Sequence, residues 1–240
     1  MTKHAMLNNI DHKDVRVATA RGAEFGDNVM CVMAVPSEFR NIVSDYPIFL
    51  QRSSEKDTYR PVAMFGFEKG ENLFLSGAHW DASYIPLMSQ RGPFSIGFQE
   101  TGDDSVAGKK MVIALDMDNP RVGAAEGEPL FEPFGGNTAY TDQIVEVLEE
   151  IEQGQTVVEE FVAALKEHDL LEPFSLSVEL NDGSEHRLLG FYTIHEERLA
   201  ALDGTVLADF SRRGILQACY MVVASMANIA KLIALKNRRT

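Results

Sequence analysis

The sequence predicts an α+β protein, with a mainly antiparallel sheet in its N-terminal half packed against a helix-rich C-terminal half. Three observations carry that expectation. Short apolar runs bounded by Gly, Pro and Asn recur up to residue 118, at strand length. Apolar residues at helical spacing take over after residue 138. Between them, Asp116 to Asn137 (DMDNPRVGAAEGEPLFEPFGGN) is rich in glycine, proline and acids and marks the boundary. The 240 residues, 45% of them hydrophobic, are enough for one sizeable core. The expected organisation is a single domain over 1–240, strand-rich at 15–118 and helix-rich at 138–236.

Taken in order, residues 1–14 are polar and expected to be loosely docked. Val15 to Thr19 reads as a short strand, and Arg21 to Asn28, with Gly22 and Gly26, as a turn. Val29 to Val35 is a strand. Pro36 and Ser37 then open a short helix through Phe39, Ile42 and Val43, because proline suits a first helical turn and serine a cap. Tyr46 to Leu50 returns as a strand, followed by a polar loop at 51–59. Pro61–Phe67 (PVAMFGF) and Asn72–Leu75 (NLFL) predict a hairpin around Glu68-Lys69-Gly70-Glu71, with Gly70 at the position that favours positive φ. Its unbroken apolar run places the first of these strands inside a sheet. Two aromatic-proline segments follow, Trp80 to Pro86 and Arg91 to Phe94. Gln99 to Lys110 is a polar loop or hairpin tip, and Met111 to Leu115 a strand.

In the C-terminal half, Ile144, Val147, Leu148 and Ile151 fall on one face of a helix from Thr141 to Gln153, which Gly154 should end. Thr156 with Glu159 has the form of a capping box for a second helix, Val157 to His168. Phe174–Leu180 and Arg187–Ile194 flank an Asp182-Gly183 turn and predict a hairpin. Helices are expected at Glu196–Leu202 and Val206–Arg213. Ile215 to Leu235 reads as one long apolar helix, long enough for a membrane span. Gln217, Ser225, Asn228 and Lys231 nevertheless form a polar stripe along it. That pattern predicts a core helix with one wet edge and no membrane span.

The net charge of −14 argues against a nucleic-acid partner, which needs a basic surface, and against anionic membranes. Cys31 and Cys219 both lie in apolar runs, as reduced, buried thiols would. The stretch MTKHAMLNNIDHKDVRV contains no apolar core of a secretory signal, so the expected location is the cytoplasm, with signal-independent export as the other route.

Several phrases together carry a family resemblance. They are Tyr46-Pro47-Ile48-Phe49, Pro61-Val62-Ala63, Gly70-Glu71-Asn72-Leu73-Phe74, Trp80, Tyr84-Ile85-Pro86 and Arg91 to Phe94. Further on come Gly127 to Phe131, Phe161 to Leu165, Leu170 to Pro173, Glu196 to Leu199 and Ala227 to Leu232. In these the chain resembles the SapC family, bacterial proteins of about this length named for a surface-layer gene cluster. The resemblance implies a setting among genes for TonB-dependent receptors, flavin-dependent halogenases and iron oxygenase-like proteins. It implies no catalytic residues.

Two sites are expected. Trp80, Tyr84, Arg91 and Phe94 would form a contact region for a protein or peptide partner, although aromatics of this kind are more often core walls. That makes a non-catalytic binding or accessory protein of a surface or nutrient-uptake system, a homo-oligomer being compatible with it. The alternative is a non-haem iron oxygenase using 2-oxoglutarate. There His79 and Asp81 would hold Fe2+ together with one of His168, His186 or His195, as a facial triad. A second alternative, from the resemblance, is a structural surface-layer protein.

Overall fold

The computed structural model describes residues 3–53, 58–100 and 109–239. The strands are β1 (His4–Met6), β2 (Arg16–Val17), β3 (Cys31–Met33), β4 (Ile48–Arg52), β5 (Tyr59–Met64), β6 (Leu75–Ser76), β7 (His79–Trp80), β8 (Phe94–Glu100), β9 (Lys109–Asp116), β10 (Glu128–Pro129), β11 (Leu171–Glu179) and β12 (Glu185–Ile194). The helices are α1 (Phe39–Ile42), α2 (Leu87–Gln90), α3 (Ala139–Glu167), α4 (Glu196–Ala200), α5 (Gly204–Arg212), α6 (Ile215–Ser225) and α7 (Asn228–Asn237). All the strand pairs are antiparallel, and the chain is α+β, with most strands in the first half and most helical residues in the second.

The largest sheet has five strands in the order β11-β12-β4-β5-β3. The two halves of the chain therefore share it. Ile48, Phe49 and Leu50 on β4 are all fully buried. Successive strand residues point to opposite faces, so both faces are covered there. A second sheet, β1-β9-β8, builds a smaller core with Phe94, Leu115, Val17 and Leu130. The 29-residue α3 serves both cores: Ile144 and Leu148 enter the smaller one, and Ile151, Phe161 and Leu165 the larger.

Two expectations are corrected, and two elements are refined. Pro61–Phe67 does not pair with Asn72–Leu75 as a hairpin. β5 instead lies between β4 and β3, and β6 pairs with β7. The apolar run was correctly read as an interior strand, but its partners come from the preceding chain. Phe94–Glu100, to which the sequence reading assigns no strand, is an edge strand paired with β9 over its full length. Gly154 does not stop a helix. A Cβ on it would lie 2.5 Å from Cγ1 of Val35, so the glycine lets α3 pass against Val35 without interruption. The long terminal helix runs on through Met226 and Ala227, which keep right-handed helical dihedrals, and tightens there between α6 and α7, where Met226 N–H bonds Val223 O (3.2 Å) and Ala227 N–H bonds Ala224 O (3.3 Å). Parts of the expected loops, residues 54–57 and 101–108, lie outside the described residues.

The polar stripe on α6 and α7 has a specific use. Ser225 is fully buried and accepts from Ile48 N–H at 2.8 Å. Asn228 donates to Val43 O at 2.7 Å, and Lys231 pairs with Asp45 at 2.6 Å. Three of the four stripe residues thus grip the segment that leads into β4. By length and composition alone, Ile215–Asn237 is long and apolar enough to cross a membrane.

Candidate functional site

The residues expected to form a contact region are distributed between the two cores. Trp80 is 6% exposed, packs edge-on against Phe65 and donates from Nε1 to the Tyr46 hydroxyl at 2.7 Å. That hydroxyl donates to Tyr84 O at 2.6 Å. Phe94 is fully buried in the smaller core. The half-buried Tyr84 donates to Glu38 at 3.0 Å. Burial and the adjacent Glu38 carboxylate push its phenol well above the ordinary range. Arg91 is half-buried and lines an open cleft.

His79 and Asp81 are exposed at β7 and just after it. The three candidate third ligands are used elsewhere. His168 packs on Phe210, His186 pairs with Glu68 at 2.9 Å, and His195 caps α4. Among the described residues no three His, Cys, Asp or Glu side chains come together as a metal-binding group.

What the fold does assemble is a cluster of arginines. Asp27 and Arg121 are 7% and 3% exposed, and Arg121 Nη2 donates to Asp27 at 2.7 Å. The other Arg121 bonds run from Nη1 to Ala20 O (2.6 Å) and Ala18 O (3.1 Å), and its guanidinium lies 4.9 Å from the Phe25 ring centroid. Arg21 Nη1 donates to Asp27 at 3.4 Å and to Ser89 O at 2.8 Å. Gly22 N–H donates to Asp27 as well, at 2.9 Å. Three stretches far apart in sequence are thereby fixed to one carboxylate: the β2–β3 loop, the end of α2 and the β9–β10 connection.

Local chemistry explains how each arrives. Asn119 Oδ1 accepts from Arg121 N–H at 3.0 Å, an Asn-initiated turn that presents the arginine inward. Gly92 has φ 53°, in the left-handed region, and a Cβ there would stand 3.7 Å from Arg121 Cδ. Tyr140 sits in the first turn of α3, which Thr138 caps by accepting from Thr141 N–H.

Two clefts flank this cluster and share Gly92 and Arg121 in their walls. The first, about 200 Å³, is lined by Arg21, Arg121, Tyr140, Gln90 and Gln143 over a floor of Ile144 and Val147. Arg21 makes both of its hydrogen bonds through Nη1, leaving Nε and Nη2 without a partner among the described residues. The Tyr140 hydroxyl also makes no bond among them. Burial raises its phenol to about 12, against the pull of Arg121 and Arg21, and Glu128 adds to the rise. Burial lowers the Arg21 guanidinium, Asp27 opposes that, and Arg121 adds to it. The second cleft, about 400 Å³, holds Arg91 and Asn119 among apolar walls.

Of the residues that line these clefts, the sequence reading names Arg91 and does not name Arg21, Arg121, Asp27 or Tyr140. No spacing connects them, since Asp27 and Arg121 stand 94 residues apart. The available signal was charge: in a chain of net charge −14, arginines within glycine-bearing loops (ARG at 20–22, PRVG at 120–123) are unusual enough to ask what they face.

Fold and site together define an α+β protein with paired arginine-walled clefts between its two cores. The SapC family model matches residues 7–232, nearly the whole length, and the chain belongs to the SapC family. No curated protein and no solved structure matches it.

Proposed function

We propose that this SapC-family chain acts by binding and not by catalysis, as an accessory protein, and that its recognition site is the arginine-walled cleft at Arg21 and Tyr140. The observation that carries this reading is the uncommitted Nε–Nη2 edge of Arg21 at the wall of a cleft, in a chain whose net charge is −14. Arg21 and Arg121 share the single carboxylate of Asp27, a positive excess beside the opening that Glu128, within electrostatic reach of Tyr140, partly offsets. A guanidinium edge of this kind holds a carboxylate or phosphate through paired, charge-assisted hydrogen bonds. The Tyr140 hydroxyl adds a neutral donor. A surface or nutrient-uptake system with a protein partner is the setting that family membership favours.

The test is isothermal calorimetry with inorganic phosphate and with succinate at constant ionic strength. At least one of them should bind saturably, and Arg21→Gln should weaken it about tenfold, the expected loss for one charge-assisted pair. Binding of neither anion, or binding that Arg21→Gln leaves unchanged, rejects the reading.

A further inference from the structure

The second cleft has a different chemistry. Phe25, Val29, Val32 and Met88 line it, and each is only half-buried, so together they present an apolar wall to open space. Its polar end is Arg91. Nη1 of that guanidinium donates to Phe94 O at 2.7 Å. Nε is buried and has no hydrogen-bond partner, the one side-chain nitrogen or oxygen in that condition among the described residues. No carboxylate pairs with Arg91 among the described residues either. An unsatisfied buried donor on a charged group is costly and is normally relieved by a ligand, an ion or ordered water.

The other polar groups in the wall are largely committed. Both Asp27 carboxylate oxygens already accept, from Arg21, Arg121 and Gly22. Asn119 uses its oxygen on Arg121 N–H and has its amide nitrogen left. The local balance is two guanidinium groups, Arg91 and Arg121, against one carboxylate.

We infer that this cleft binds a small amphipathic carboxylate, with the acid head on the free Nη2 of Arg91 and an apolar body along Phe25, Val32 and Met88. Nη1 is already occupied and Nε is buried, which leaves Nη2 as the donor open to a carboxylate oxygen, with the guanidinium charge behind it. The apolar wall disfavours a compact, strongly hydrated anion such as phosphate, and the positive end disfavours an amine. The inference rests on the reading that the chain acts by binding, but it concerns a different cleft and a different arginine.

The experiment is calorimetric titration of the full chain with octanoate, octanol, octylamine and acetate. Octanoate should bind saturably, octylamine should not, and octanol and acetate should each be at least about tenfold weaker, because each lacks one half of the match. Arg91→Gln should weaken octanoate about tenfold or more, while Arg21→Gln changes it less than about threefold, as expected for a site with separate partners. Arg91 also anchors Phe94 O, so a second variant, Met88→Trp, fills the apolar end and should abolish octanoate binding in a protein whose circular dichroism and unfolding midpoint match the parent. Absence of octanoate binding, or octanoate binding that survives in Met88→Trp and in a folded Arg91→Gln, overturns the inference. Arg21-dependent phosphate or succinate binding without octanoate binding overturns this inference alone and leaves the proposed function standing. Octanoate binding that depends on Arg91 and is blocked by Met88→Trp supports it whatever phosphate does.

Discussion

Asp27→Ala should destabilise the protein by about 3–5 kcal/mol, the range for breaking a buried charge pair by removing one partner. The size follows from what is left behind. Arg121 is 3% exposed and would lose its only counter-charge among the described residues while still buried beside Phe25. Arg21 and Gly22 N–H would lose an acceptor at the same time. Asp27→Asn keeps an oxygen for Gly22 and should fall between the parent and the alanine variant. Lys231→Met provides the contrast. The Lys231 side chain is 40% exposed and the buried Asp45 keeps its bonds from Ser83, so the loss should be smaller, about 1–2 kcal/mol. Urea midpoints of the four proteins give the comparison directly. A loss in Asp27→Ala no larger than in Lys231→Met would show that the arginine cluster is not held together by this carboxylate.

Gly154→Ala should lower stability by about 1–3 kcal/mol, even though alanine is the better helix former by about 1 kcal/mol. An added Cβ would sit 2.5 Å from Val35 Cγ1 and 2.6 Å from Val35 Cβ, and Val35 is 1% exposed. A β-branched side chain has little rotamer freedom with which to retreat. Val35→Ala in the same chain removes both γ carbons but leaves Cβ 2.6 Å away, so it should recover only part of the loss. Thermal unfolding of the two single variants and the double variant reads the coupling. A stabilised Gly154→Ala would mean that α3 does not press on Val35 as described.

The sequence made local structure legible and left non-local structure obscure, for physical reasons that particular residues show. The turn at Asp182-Gly183 and the strands beside it are specified by adjacent residues, and they were read correctly. β5 was recognised as an interior strand because every residue of its second half is apolar. Nothing in Pro61–Phe67 says that its neighbours are β3 and β4, since pairing is decided by which faces need cover and not by which run comes next. Gly154 was misread because a glycine permits a helix end and a close contact equally. Only the position of Val35, 119 residues earlier, distinguishes them. Ser225, Asn228 and Lys231 were visible as a stripe. Their purpose required knowing that a backbone segment with free N–H and C=O groups would lie against it.

The site was the least legible part. Trp80 and Phe94 attracted attention because aromatics are conspicuous, and they proved to be packing elements of separate cores. Arg91 enters the expected contact region only as their neighbour in sequence. The arginines that matter most to the cleft come from segments whose composition suggests plain turns, and only the folded chain brings them within reach of one carboxylate.

The most direct measurement is a crystal of this protein soaked in sodium bromide and read by anomalous scattering. Bromide carries a single negative charge and reports where the molecule accepts an anion. Ordered peaks against Arg21 and Tyr140 in the first cleft, and against Arg91 in the second, are the predicted result. Bromide confined to the outer surface, with both clefts closed by their own side chains, would contradict the account.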